Sequence, residues 1–401
     1  MAIATLLALI FLCKGLSAGP VPLPVNDRPC YNFVLPVEAT AQNYEYNIVP
    51  VEDNINATAY AIDLDTWTFN ATERTIRNFT VSDTFNISAQ LCVAPTGSKK
   101  ENLIIATHGG LFDKRYWDPA LDRKEYSFVN AAVEAGYSIL TYDRLGTGES
   151  DKPDGYTIVQ APLQLEILRS ITNLARSGDL LKTASAKTPR PGRTPAADTT
   201  TFDKIIHIGH SFGSVLTSAF LNTYGSESDA AVLTGFIPNP HFAEMQKSAF
   251  GLAYAPLSST NFSDRGPGYM VSDAVSGVQT IFFSTKQDLE SGVGGFDNKI
   301  LEYAYDIRQT ITAAEFVPAP LKQGPAKEFK GPLQFMLAEF DYPVCRGDCN
   351  VVDRELLKSL YPGATDIDVY TAKGNGHALT MHRDATVGYQ ATFDWLAKNG
   401  L

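Results

Sequence analysis

The stretch Lys204-Ile205-Ile206-His207-Ile208-Gly209-His210-Ser211-Phe212-Gly213-Ser214 decides the fold. It opens on a short, largely apolar run suited to a buried strand, and a helix is expected after Ser211. Between the two, G-x-S-x-G predicts a sharp bend that lifts the Ser211 hydroxyl at the end of a sheet. Gly209 and Gly213 fit that bend because its turn packs closely against neighbouring backbone. The pattern alone also occurs in structural turns with an inert serine. The strand before it and the helix after it carry the functional reading.

Working outward, short apolar runs alternate with longer helical stretches. LIIATH (103–108) leads to a helix near Glu125–Ala135 and then to YSILTYD (137–143). An amphipathic stretch near Leu163–Ala175 precedes the elbow, and AVLTGFI (231–237) follows it. Such alternation predicts βαβ units and a mostly parallel sheet. LQFMLAEF (333–340) and DIDVYTA (366–372) resume the pattern, and TVGYQATFDWLAKNG (386–400) closes the chain as a helix. The interval 238–332 breaks the rhythm. It holds Phe242, Phe250, Tyr254, Phe282, Phe283, Tyr303 and Tyr305 and the helical NKILEYAYDIRQTI (298–311), as a helical lid inserted into the core would.

Ahead of the core, Arg28 to Pro95 alternates apolar and polar residues, and TERTIRNFTVSDTFNISAQLCV (72–93) reads as antiparallel strands with short turns. A polar stretch rich in Pro, Thr and Ala, 177–200, reads as an exposed insertion. The expected organisation is a signal peptide over 1–18, an N-terminal β extension over 19–100 and a first core part over 101–237. The lid over 238–332 and a second core part over 333–401 complete it.

At 401 residues, with 44% hydrophobic and 19% charged residues, the chain can bury the core of a globular enzyme. A net charge of −11 argues against nucleic acid, which calls for clustered Lys and Arg. The apolar run from Ala2 to Cys13, followed by Gly15, Ser17 and Ala18, has the build of a secretory signal, with a signal anchor as the alternative. No stable membrane insertion is expected after cleavage, and the expected location is extracellular or the secretory-pathway lumen. Sequons at Asn56, Asn70, Asn78, Asn86 and Asn261 agree with export. Outside the signal lie Cys30, Cys92, Cys345 and Cys349, to be read as two disulfides or as buried free thiols, with no spacing that suggests zinc.

A serine nucleophile needs a base and a site for the developing oxyanion. His108-Gly109-Gly110, at the end of the strand LIIATH, suits a loop whose backbone N–H completes an oxyanion hole with that of Phe212. Gly110 is the expected donor and Leu111 its neighbouring alternative, while a plain strand-end turn is the bland reading. The His108 ring is expected to order the loop.

Taken together, THGG after a strand, TYDRLGTGESD after the next, GHSFGS at the elbow, AEFD after a late strand and GNGHAL near the end resemble the α/β-hydrolase superfamily. The similarity runs from about Asn102 to Leu401 and is greatest to the lid-bearing branch of esterases, lipases and proline iminopeptidases. It implies a mostly parallel central sheet with flanking helices, N-terminal antiparallel strands and a helical lid. Asp143 to Ser150 resembles the family's D-x-R-G-x-G-x-S turn, with Arg144 directly after the Asp and Leu145 before the Gly, and in the family that turn shapes the site without reacting.

The family's chain order, Ser then acid then His, implies the remaining partners. His108, His207 and His210 precede Ser211, and His241 opens the lid. His377 follows Gly376 as the pattern GNGH implies, and His382 lies further on, facing elsewhere. Asp341, just beyond the strand ending near Phe340, is the implied acid. Glu339 is expected on the strand, and Asp348 is a rival in the same loop. Proximity in that fold favours the pairings Cys30–Cys92 and Cys345–Cys349.

The implied activity is a Ser-His-Asp acyl-enzyme mechanism on a small-molecule carboxylic ester or lactone with an apolar or aromatic part. It calls for no metal or organic cofactor. Three alternatives stand beside it. An aminopeptidase of the proline iminopeptidase kind would need a lid carboxylate, from Glu244, Asp288, Glu290 or Glu302, facing the site. The others are a natural-product tailoring hydrolase or acyltransferase, and a binding protein that keeps an idle triad.

Overall fold

The computed structural model describes residues 30–95, 101–186, 201–238, 247–283, 295–318, 321, 324–350 and 352–401. The expected signal, most of the 177–200 insertion, and Phe242, His241, Glu244, Asp288 and Glu290 lie outside the described residues.

Two long strands, β1 (Cys30–Tyr46) and β2 (Thr75–Cys92), open the described chain, followed by β3 (Asn102–Thr107), β4 (Ser138–Tyr142), β5 (Ser185–Ala186), β6 (Lys204–His210) and β7 (Ala230–Thr234). Then come β8 (Leu252–Tyr254), β9 (Tyr269–Ser272), β10 (Ile311–Thr312), β11 (Leu333–Ala338) and β12 (Ile367–Ala372). Nine of these form one sheet in the order β12-β11-β7-β6-β3-β4-β2-β1-β5. From β12 to β4 every neighbour is parallel, whereas β2, β1 and β5 continue the sheet antiparallel.

Residues of β3, β4, β7 and β11 are buried throughout, as expected of parallel strands covered on both faces. The two-residue period of each strand divides its side chains between two cores. Leu103, Ile105, Ile205 and Leu233 pack with Leu168, Leu216 and Phe220 from helices Ala161–Ser177 and Phe212–Tyr224. Ile104, Ile206, Ile208 and Val232 pack with Phe128, Trp395 and Leu396 from helices Phe128–Glu134 and Ala385–Lys398.

The N-terminal segment differs from its sequence reading. The stretch expected to hold several strands and turns is, from Thr75 to Cys92, one continuous strand paired with β1 along its length, with Cys30 opposite Cys92 and bonded to it. Its partner is reached through a helix, Asn54–Asp65, that the composition did not reveal. Likewise 238–332 holds not only helices Val275–Phe282 and Asn298–Ile307 but a small antiparallel sheet, β10-β9-β8.

From β3 the chain passes to β4 on one side and then to β6 on the other. The order therefore reverses between β3 and β6, and in open α/β sheets a crevice forms at such a point beyond the strands' carboxyl ends. His108-Gly109-Gly110 follows β3, and Ser211 follows β6.

Candidate active site

Ser211 stands between β6 and the helix Phe212–Tyr224 with φ 51° and ψ −118°. A non-glycine residue there is strained by roughly 1–3 kcal/mol and persists only where its surroundings impose it. The Ser211 amide donates to Thr234 O on β7 at 2.9 Å, and its carbonyl accepts from Val215 at 3.0 Å. The flanking glycines are required by close approach. A Cβ on Gly213 would lie 2.2 Å from Thr107 O, and one on Gly209 2.6 Å from Gly213 O. The elbow therefore presses directly on the end of β3, and Ser211 remains partly exposed.

His377 follows β12 and is buried, its Nδ1 2.6 Å from Asp341 Oδ2. A carboxylate can only accept, so Nδ1 carries the proton and the Nε2 lone pair is left bare. Asp341 is fully buried, and its other oxygen, Oδ1, accepts the Val344 N–H at 2.9 Å. The rival Asp348 is exposed and its Oδ1 bonds Asn350. Glu339 lies one residue beyond β11 instead of on it, where its carboxylate takes the Gly374 N–H at 2.9 Å and pairs with Lys373 at 3.2 Å. The structure thus brings Asp341, and not Asp348 or Glu339, to His377.

His377 reaches the elbow through two neighbours. Its ring lies 4.8 Å from that of His210, the residue before Ser211. A Cβ on Gly235, just after β7, would meet His377 Cε1 at 3.0 Å. Phe282, at the end of helix Val275–Phe282, stacks on the imidazole at 6.0 Å between centroids and touches Phe112 at 4.4 Å. Its carbonyl accepts the Ala378 N–H at 2.8 Å. Tyr303 instead caps the Ala120 N–H, and Glu302 faces solvent.

Among the described residues, the histidines other than His377 are held neutral by burial. His108 is fully buried, its Nδ1 donating to Gly109 O at 2.8 Å and its Nε2 accepting the Arg144 N–H at 2.9 Å. Burial first, then the Arg144 charge, holds this imidazole well below the ordinary range. His382 accepts the Gly376 N–H and donates to Ala378 O, which shapes the loop of His377, and burial pushes it down to about 4. His207 bonds Thr172 and Ser228, and burial pushes it down to about 3.

Gly110 and Phe212 face the same crevice end from β3 and β6, and among the described residues neither N–H donates to another protein group. Leu111 has φ 62°, a second left-handed non-glycine residue beside the site, and Ile311 Cδ1 lies 3.1 Å from where a Gly110 Cβ would stand. Arg144 lies in the turn expected to shape the site, and its partners were not foreseen. Its guanidinium, buried with Glu315 at 2.6 Å, also bonds Gln164, reaches Gly109 O at 3.4 Å and lies 4.7 Å from the Phe212 ring. It ties the β3 loop, the elbow and the segment of Ile311 together. The charged residue in Asp143-Arg144-Leu145-Gly146 was the available clue, but its partner lies far along the chain.

No curated protein matches this chain by sequence. In fold it is similar to a thermophilic esterase from Thermogutta terrifontis, at 14% identity over 79% of this chain and 94% of that one, with a TM-score of 0.49. It is similar to a soluble variant of monoglyceride lipase from Saccharomyces cerevisiae, at 13% identity over 79% and 92%, with a TM-score of 0.47. A further similar structure is the enol-lactonase from Burkholderia xenovorans LB400, at 11% identity over 78% and 97%, with a TM-score of 0.47. The profile of the Alpha/beta hydrolase family matches residues 104–388, from within β3 through the elbow, Asp341 and His377, and the chain belongs to that family.

Proposed function

We propose that this hydrolase is a secreted serine esterase that cleaves small carboxylic esters or lactones with an apolar or aromatic part, using Ser211, His377 and Asp341. The observation that carries the proposal is the buried 2.6 Å contact between Asp341 and His377 beside the left-handed Ser211. In the first step Ser211 Oγ attacks the ester carbonyl carbon while His377 Nε2 takes the hydroxyl proton. The negative charge moves to the carbonyl oxygen, which accepts the Gly110 and Phe212 N–H groups. Collapse expels the alcohol, which leaves with the proton from His377, and an acyl-serine remains. Water then attacks the acyl carbon, again losing its proton to His377, and the carboxylic acid departs as Ser211 recovers its hydrogen. Asp341 keeps Nδ1 protonated and stabilises the imidazolium in both halves.

Residues 238–332 act as the lid in this proposal, and Phe282, Phe112 and Ile311 support an apolar substrate part because all three are buried beside the site. Two disulfides and the sequons support secretion. Asn70, Asn78, Asn86 and Asn261 are exposed and Asn56 is half-buried. The test is labelling with a fluorophosphonate together with ester turnover, in wild type and Ser211→Ala. Loss of the nucleophile should abolish labelling and lower kcat on the order of 10⁶-fold. A Ser211→Ala protein that keeps more than a few per cent of the wild-type rate refutes the assignment.

A further inference from the structure

The loop that carries Asp341 is built around a single helical turn, Tyr342–Cys345, that begins directly after it. One turn of helix is not self-sustaining, because nucleation fixes several residues for one hydrogen bond. Yet this turn supplies the Val344 N–H that holds Asp341 Oδ1 at 2.9 Å and so leaves Oδ2 facing His377. The Asp341 carbonyl in turn accepts from Cys345 at 3.2 Å and from Gly347 at 2.9 Å. The chain then reverses through Arg346 (φ 53°) and Gly347 (φ 85°), the former in a region that a side chain disfavours.

The far end of the loop is anchored. The Cys349 N–H donates to Glu339 O at 3.0 Å, and the Glu339 carboxylate holds Gly374 on the loop of His377. The Phe340 N–H donates to Asn375 O at 2.9 Å, a second stitch between the two loops. Cys349, 1% exposed, thus stands on the frame shared by strand end and imidazole loop, whereas Cys345, 6% exposed, ends the short turn. The Cys345–Cys349 disulfide joins them.

We infer that Cys345 and Cys349 are a positioning pair for the reaction: their disulfide locks the turn that fixes Asp341 Oδ1 and thereby aims Oδ2 at His377. The inference rests on the reading of Asp341 as the triad acid. Without the bond the turn frays, Oδ1 loses its amide, and the carboxylate is free to rotate away from Nδ1. A misplacement of about 1 Å in a catalytic constellation lowers the rate on the order of 10²-fold. The pair acts on the side of the imidazole remote from Nε2, so substrate binding should change little.

The test compares the Cys345→Ser/Cys349→Ser double variant with Cys30→Ser/Cys92→Ser in the full chain, well below either melting temperature. The first should lose roughly 10- to 100-fold in kcat with KM within about twofold, and fluorophosphonate labelling should slow in parallel. The second should lower the melting temperature and leave kcat unchanged. In an Asp341→Asn background, removing Cys345 and Cys349 should produce no further loss, since both act through one carboxylate. If the double variant does not fold, reduction and reoxidation of the wild-type protein substitutes for it. Thiol alkylation mapped to Cys345 and Cys349 should then track a reversible loss of rate. A wild-type chain that labels and turns over esters, with kcat unchanged by losing this disulfide or with losses fully additive to Asp341→Asn, overturns the inference alone. A wild-type chain that neither labels nor turns over esters overturns the esterase proposal and this inference with it.

Discussion

Replacing Asp341 by Asn should be far more damaging than the small change in shape suggests, and the hydrogen bonds say why. The Val344 N–H donates to Oδ1 at 2.9 Å, so an asparagine at this position must turn its own oxygen toward Val344. Its NH₂ then occupies the place of Oδ2, 2.6 Å from His377 Nδ1, and donates to it. Nδ1 becomes the acceptor and the ring proton moves to Nε2, which can then no longer take the Ser211 proton in the proposed mechanism. Restoring the productive tautomer sets two N–H groups against each other in a fully buried site, and the imidazolium also loses its anionic partner. The analogous change in serine proteases lowers kcat by about 10⁴-fold, equivalent to about 5 kcal/mol in the barrier. Asp348→Asn is the control: the residue is exposed and its Oδ1 bonds Asn350, so kcat should stay within about threefold by local disturbance alone. Steady-state kinetics on one chromogenic ester, with active sites counted by fluorophosphonate, measures both. An Asp341→Asn enzyme retaining a tenth of wild-type kcat, or an Asp348→Asn enzyme losing more than Asp341→Asn, refutes the reasoning while leaving Ser211 and His377 standing.

Three other outcomes are expected. Gly213→Ala should destabilise the fold on the order of 3 kcal/mol and remove activity, because the new Cβ meets Thr107 O at 2.2 Å and backbone cannot yield cheaply; urea unfolding near wild type would contradict this. Stability should fall as pH drops from about 6.5 toward 4: His207 and His382, pushed by burial down to about 3 and about 4, stay neutral in the fold while the unfolded chain binds protons, at about 2 kcal/mol each by pH 5. The contribution is fully present above the unfolded pKa, so a His207→Asn variant should show a shallower acid decline in denaturant melts, and an unchanged slope counts against it. Asn78 and Asn86 lie an even number of residues apart on the exposed face of β2, so peptide mapping of protein from a glycosylating secretory host should find both modified; finding both bare argues against export.

The elbow was legible from sequence because its constraints are local. An apolar strand, a left-handed serine, two glycines without room for a Cβ and a helix all fall between Lys204 and Tyr224. The parallel core was legible for a related reason: strands buried on both faces must be written as short apolar runs, and LIIAT, SILTY and AAVLT are such runs. His377 followed from chain order once the family resemblance was admitted. The helix Asn54–Asp65 was hidden in a stretch whose Thr and Asn content matched the neighbouring strands, and β8, β9 and β10, two to four residues long, are too short for a period to register. Sequence also left Asp341 and Asp348 side by side as carboxylates of one loop. Only the folded path separates them, because hydrogen bonds from Val344, Cys345 and Gly347 turn one inward while the other meets solvent. The same holds for the Arg144–Glu315 ion pair and the His108–Arg144 hydrogen bond, whose partners are brought together from distant segments. Local conformational rules act between near neighbours in the chain, whereas the choice of a buried polar partner depends on which segments the packed cores leave adjacent.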